Sequence, residues 1–131
     1  MGGYFTFVGN QYRIEIEDNE FFIDLLLYHR ILRCLVAIEL KIGGFKPEYA
    51  GKMQFYLSAL DDKAKLKDEN PSIGIILCKS KNRTIVEYAL RNVNKPIGVA
   101  TYKITDKLPK EFKKYLPSPK ELSMKLQETQ L

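Results

Sequence analysis

Apolar residues in the first third of the chain come in short runs at strand length. Residues 21–28 (FFIDLLLY) and 34–42 (CLVAIELKI) are rich in branched and aromatic side chains, and residues 11–17 (QYRIEIE) alternate apolar with polar. Residues 29–33 are too short for a crossover, so the two apolar runs must be antiparallel neighbours. Centring that hairpin between Ile31 and Leu32 sets Phe21 against Ile42, Ile23 against Leu40, Leu25 against Ile38 and Leu27 against Val36. One sheet face is then apolar throughout. The other pairs Asp24 with Glu39, Phe22 with Lys41 and Leu26 with Ala37. A slip of one residue would set Asp24 against a core aliphatic, so the pattern itself selects the register. Asp18-Asn19 reads as the preceding turn, which pairs Ile16 with Phe21, Ile14 with Ile23 and Tyr12 with Leu25, and puts Arg13 opposite Asp24. Residues 4–8 read as a further strand of this meander.

After Gly43-Gly44 the period changes. Pro47 suits a first helical turn, and Tyr49, Met53, Leu57 and Leu60 recur at helical spacing through a helix over 47–60. Residues 61–71 form a charged loop, 72–78 (SIGIILC) a buried strand, 79–83 (KSKNR) a basic turn, 84–90 a short helix and 96–101 (PIGVAT) a last strand. Strands that alternate with helices pair in parallel. The fold class predicted is therefore α/β, a mixed sheet in which an antiparallel meander is followed by helix-strand-helix-strand. Residues 103–131, Lys-rich and broken by Pro109, Pro117 and Pro119, predict a helical tail on the surface.

Size and charge narrow the function. A chain of 131 residues is one domain with room for a core. Its abrupt start, Met1-Gly2-Gly3 leading straight into a strand, suggests the C-terminal part of a longer protein. A net charge of +5 favours polyanionic partners. Cys34 and Cys78 fall in buried runs without metal-ligand spacing, the pattern of reduced structural thiols in a cytoplasmic protein. A single histidine excludes a His-based metal cluster, no apolar stretch is long enough to span a membrane, and no Ser-centred or phosphate-loop motif is present.

What is left is the polar face of the central hairpin. Asp24 lies inside FFIDLLLY and Glu39 inside CLVAIEL, so two carboxylates face each other at the edge of a core, with Lys41 beside them. Opposed carboxylates destabilise a hairpin unless a cation or a shared proton relieves them. Two carboxylates and an ammonium on one face are what metal-dependent phosphodiester hydrolysis requires. The blander alternatives are an Asp24–Arg13 ion pair and a solvated Glu39–Lys41 face.

Asp24 followed fifteen residues later by Glu39-Leu40-Lys41, with Gln54 on the next helix, resembles the signature of the PD-(D/E)xK nuclease superfamily, the restriction-endonuclease-like enzymes. The segments FVGNQY (7–12), FIDLLLYH (22–29), AIELK (37–41), AGKMQFYL (50–57) and ILCKSKN (76–82) resemble the C-terminal domain of the bacterial YhcG-like nucleases across nearly the whole chain. The superfamily often adds a glutamate on a helix ahead of the first core strand, and this chain begins too late to hold one.

The resemblance implies an enzyme, a nuclease hydrolysing phosphodiester bonds, DNA ahead of RNA, with Mg²⁺ or Mn²⁺ as cofactor. It implies Asp24, Glu39 and the Leu40 carbonyl as metal ligands, with Lys41 and Gln54 completing the catalytic group. Mg²⁺ keeps several waters, so two carboxylates and a carbonyl are enough protein donors. Lys52, Tyr56, Lys79, Lys81 and Arg83 are the residues expected to contact nucleic acid. A homodimer acting on branched DNA, like a junction resolvase, is a narrower reading, and a non-catalytic nucleic-acid- or protein-binding module of the same fold is the competing class.

Overall fold

The computed structural model describes residues 2–102, so the tail expected over 103–131 lies outside the described residues. The elements are β1 (Phe5–Ile16), β2 (Asn19–His29), β3 (Cys34–Leu40), α1 (Pro47–Lys63), β4 (Ile73–Cys78), α2 (Arg83–Leu90) and β5 (Ile97–Thr101). They build one five-stranded sheet in the order β1-β2-β3-β4-β5. The first three strands are antiparallel, and β3, β4 and β5 are parallel, joined through α1 and α2. This is the predicted mixed α/β sheet.

The β2–β3 register agrees with the hydrophobic pattern: Leu25 faces Ile38 and Leu27 faces Val36. The β1–β2 register does not. Its turn is Glu17-Asp18, both with positive φ (49° and 69°), as a twist-matched two-residue hairpin turn demands. Ile16 therefore faces Asn19, Ile14 faces Phe21 and Tyr12 faces Ile23, two residues away from the predicted pairing. A slip of two keeps every side chain on its own face, so burial alone does not penalise it. Residues 4–8 are no separate strand. Tyr4 ends a short 3-10 turn (Gly2–Tyr4), and residues 5–8 are the start of β1, which carries a bulge between Phe7 and Gly9.

The sheet separates two apolar layers. On one face α1 lays Ala50, Met53, Tyr56, Leu57 and Leu60 against Leu26, Leu35, Ala37 and Ile76, and Val86, Ala89 and Leu90 of α2 join them. The other face gathers Leu25, Leu27, Val36, Ile38, Leu40, Leu77 and Tyr102. Helix α1 lies close to the sheet because Gly74 has no side chain; a Cβ there would stand 2.5 Å from Met53 Cγ. The single predicted apolar face over Phe21–Leu27 is broken at Asp24. Phe21 and Ile23 pack with the helix layer, and Leu25 and Leu27 pack behind the sheet. The far end of the β1–β2 hairpin curls over α1, bringing the Phe21 and Phe55 rings to 4.9 Å between centroids.

Candidate metal centre

Every residue of β3 is buried, and Glu39 is the one charged residue in it, 5% exposed. Such a carboxylate needs partners. The Asp24 N–H donates to Glu39 Oε2 at 2.8 Å, and the Leu40 N–H donates to Asp24 Oδ2 at 2.9 Å. Each strand's carboxylate thus takes a backbone N–H of the other strand, just where the regular β2–β3 pairing stops at Leu25 and Ile38. The Lys41 N–H donates to the Leu77 carbonyl at 2.8 Å, so Lys41 faces β4. Leu40, one residue earlier, turns its N–H and carbonyl toward β2 and Asp24.

Burial pushes the Glu39 carboxyl up to about 7, and the charge of Asp24 adds to that; the bond from the Asp24 N–H, Lys41 and Lys52 act in the opposite sense. Lys41 Nζ stands 4.0 Å from Glu39 Oε1 and 4.7 Å from the centre of the Tyr49 ring, with its side chain 19% exposed. The Tyr102 hydroxyl donates to the Lys41 carbonyl at 2.8 Å. Lys41 is therefore held at both backbone and side chain. These groups line a cleft of about 270 Å³ formed by Phe22, Asp24, Glu39, Leu40, Lys41, Ile42, Tyr49 and Lys52.

The donor set is all oxygen, and its two carboxylates repel. That suits a hard divalent cation. Among the described residues no group of three or more His, Cys, Asp or Glu side chains gathers, so waters and a substrate phosphate would supply the remaining ligands.

A family model for the YhcG PDDEXK nuclease domain matches residues 1–117. The chain belongs to that family. It is 40% identical over 130 residues to YhcG of Escherichia coli (strain K12), covering 99% of this chain and 32% of that protein, so it spans about a third of its relative's length. Two solved structures share the fold, each at 13% identity over 76% of the chain. The EndoMS–dsDNA2 complex gives a TM-score of 0.55 over 36% of its own chain, and a repair endonuclease from Pyrococcus abyssi gives 0.52 over 38%. The restriction-endonuclease-like fold expected from the sequence is the one observed.

Other expected positions in this YhcG-type domain are placed differently. Tyr56 is 2% exposed and belongs to the helix layer, so it is no surface for nucleic acid; burial and then the charges of Glu39 and Asp24 raise its phenol. Gln54 is half-buried and does not line the cleft. On α1 it lies 200° from Lys52, so the two leave the helix on different sides, and Lys52 is the one at the cleft. Arg13 does not meet Asp24. It faces Phe22 and pairs with Glu15 and Glu20, while Gln11 reaches Asp24 instead.

Lys79 follows β4 at the same sheet end as Lys41. Its N–H donates to the Gly43 carbonyl at 3.0 Å, and Phe45 bonds back to Ser80 at 2.9 Å. Lys81 Nζ donates to the Val99 carbonyl at 2.9 Å, and Arg83 opens α2, exposed, after an Asn82 side-chain cap. His29 accepts the Leu32 N–H at Nδ1, 3.0 Å away, closing the β2–β3 loop. Sequence reasoning placed Phe22 beside the site, opposite Lys41, and missed Gln11 and Tyr49 as neighbours, because these two depend on turn position and helix phase.

Proposed function

We propose that this domain is a divalent-metal-dependent nuclease that hydrolyses phosphodiester bonds, with DNA as the first substrate to test. The observation that carries this reading is the cross-bonded Asp24–Glu39 pair, with Glu39 buried and Asp24 half-buried, in a cleft that Lys41 and Lys52 also line. Nothing in the fold requires a carboxylate inside β3, and the repulsion between the pair is the cost that a cation relieves. Asp24, Glu39 and the Leu40 carbonyl would hold it. A divalent ion there supplies charge neutralisation of the phosphate and acidifies a water.

The chain's own groups do the rest. Lys41 is fixed by Glu39, Tyr49 and Tyr102 so that its ammonium stays at the cleft, where it stabilises charge that develops on the phosphoryl oxygens. Lys52 grips the phosphate backbone at the cleft mouth, and Lys79 extends the basic track along the same sheet end. The structural neighbour solved with double-stranded DNA makes duplex DNA a natural first arm of the test.

The test is cleavage of labelled duplex DNA, single strands, junctions and RNA in Mg²⁺, Mn²⁺ or EDTA, beside Glu39→Ala and Lys41→Ala. Metal-dependent cutting lost in both variants is the expected result. Salt-sensitive binding with no cutting in any metal would overturn the reading in favour of a binding module.

A further inference from the structure

Four non-glycine residues among those described have positive φ: Gln11, Glu17, Asp18 and Arg33. Glu17 and Asp18 form the β1–β2 turn, and Arg33 ends the loop before β3, where such geometry is ordinary. Gln11, with φ of 46°, lies inside β1. No inserted residue forces it there. Asn10 faces Leu25 and Tyr12 faces Ile23 with one residue between them on each strand, Gln11 and Asp24, where β2 changes face, and the bulge of β1 is elsewhere, between Phe7 and Gly9. A glutamine in the left-handed region of a strand is strained, and strain of that kind persists where the surroundings impose it.

The side chain gives the reason. Gln11 Nε2 donates to Asp24 Oδ1 at 3.0 Å, thirteen residues along the chain. The other oxygen of that carboxylate, Oδ2, accepts the Leu40 N–H at 2.9 Å. Asp24 is therefore gripped by both oxygens, one through the buried β3 backbone and one through an amide delivered by a strained residue of β1. Two such bonds, one to each oxygen, fix the plane of the carboxylate.

We propose that Gln11 is a positioning residue. It sets the orientation of the Asp24 carboxylate, and the left-handed backbone is what brings its amide there. This rests on Asp24 being a cation ligand. Groups that orient a metal ligand typically change affinity by about ten- to a hundredfold when removed.

Mn²⁺ binding is measured by calorimetry on the 131-residue chain, together with the melting temperature without metal. Gln11→Ala loses the amide. Gln11→Asn tolerates the left-handed backbone but has a shorter reach, and Gln11→Gly relieves the strain outright. All three are expected to weaken Mn²⁺ binding by about tenfold or more. Gln11→Gly does so while raising the metal-free melting temperature, a combination a purely structural residue would not give. If Asp24→Asn abolishes Mn²⁺ binding but all three Gln11 variants bind within about twofold of the parent, the positioning role is overturned and the ligand assignment stands. If the parent chain binds no Mn²⁺, the ligand assignment fails and the Gln11 role falls with it.

Discussion

The two ends of the β2–β3 pair are built on opposite principles. From Leu25 to His29 the strands are bonded rung by rung, and up to the Tyr28, His29 and Cys34 positions at the loop their side chains are Leu, Val, Ile and Ala, packed into the two layers. One residue further, at Asp24 and Glu39, the regular pairing has ended, and side-chain carboxylates take the backbone N–H groups instead. The first end stabilises the fold through apolar burial, worth roughly 1.5–3 kcal/mol for each fully buried aliphatic side chain. The second end spends part of that stability to hold two repelling charges in a cleft. The paired end is rigid enough to present an arrangement that would spread apart by itself.

Removing a group from each end should therefore give opposite phenotypes. Glu39→Ala or Lys41→Ala is expected to cut metal-stimulated phosphodiester cleavage on the order of a thousandfold, read as initial rates, while Lys41→Ala hardly moves the melting temperature. Leu27→Ala, at a fully buried position of the paired end, is expected to cost about 2–5 kcal/mol in denaturant unfolding and to leave metal affinity of the folded protein unchanged.

Acidity sharpens the contrast. Glu39 titrates near 7 in the folded chain against an ordinary value of 4.5, so its protonated form is favoured by folding. Its contribution is fully present below pH 4.5 and is lost as pH rises through about 7. The metal-free protein should lose on the order of 3 kcal/mol across that window, a slope that Glu39→Gln removes. Protons compete with a cation at the same carboxylate, so the rise in melting temperature on adding Mg²⁺ should be larger at pH 8 than at pH 5. The smallest effect belongs to the cleft mouth. Lys52→Ala should weaken nucleic-acid binding less than about tenfold for every sequence, and lower the salt slope by about one.

The paired end was legible in the sequence because its information is hydrophobic. Leu25 against Ile38 follows from matching two apolar runs, and the same match carried Asp24 to Glu39. The β1–β2 turn was not legible. Asp18-Asn19 is a plausible turn by composition, yet the chain turns at Glu17-Asp18, and a two-residue shift leaves each face as apolar as before. That shift exchanged Arg13 for Gln11 opposite Asp24, and with it an ion pair for an amide contact. On α1 the buried stripe was legible from Tyr49, Met53, Leu57 and Leu60, but its width was not. Tyr56 falls inside it, and the flank of α1 at the cleft carries Lys52 rather than Gln54.

Cys78 lies beneath the helices and Cys34 lies behind the sheet, and both are free thiols almost wholly shielded from solvent. Burial raises both, Cys78 to about 11, so each reacts slowly until its own layer opens. The protein thus carries two chemical clocks, one per side of the sheet. Labelling that reaches Cys78 first would mean that the helices lift away while the back of the sheet stays closed, and the opposite order would mean that the sheet is breached from behind.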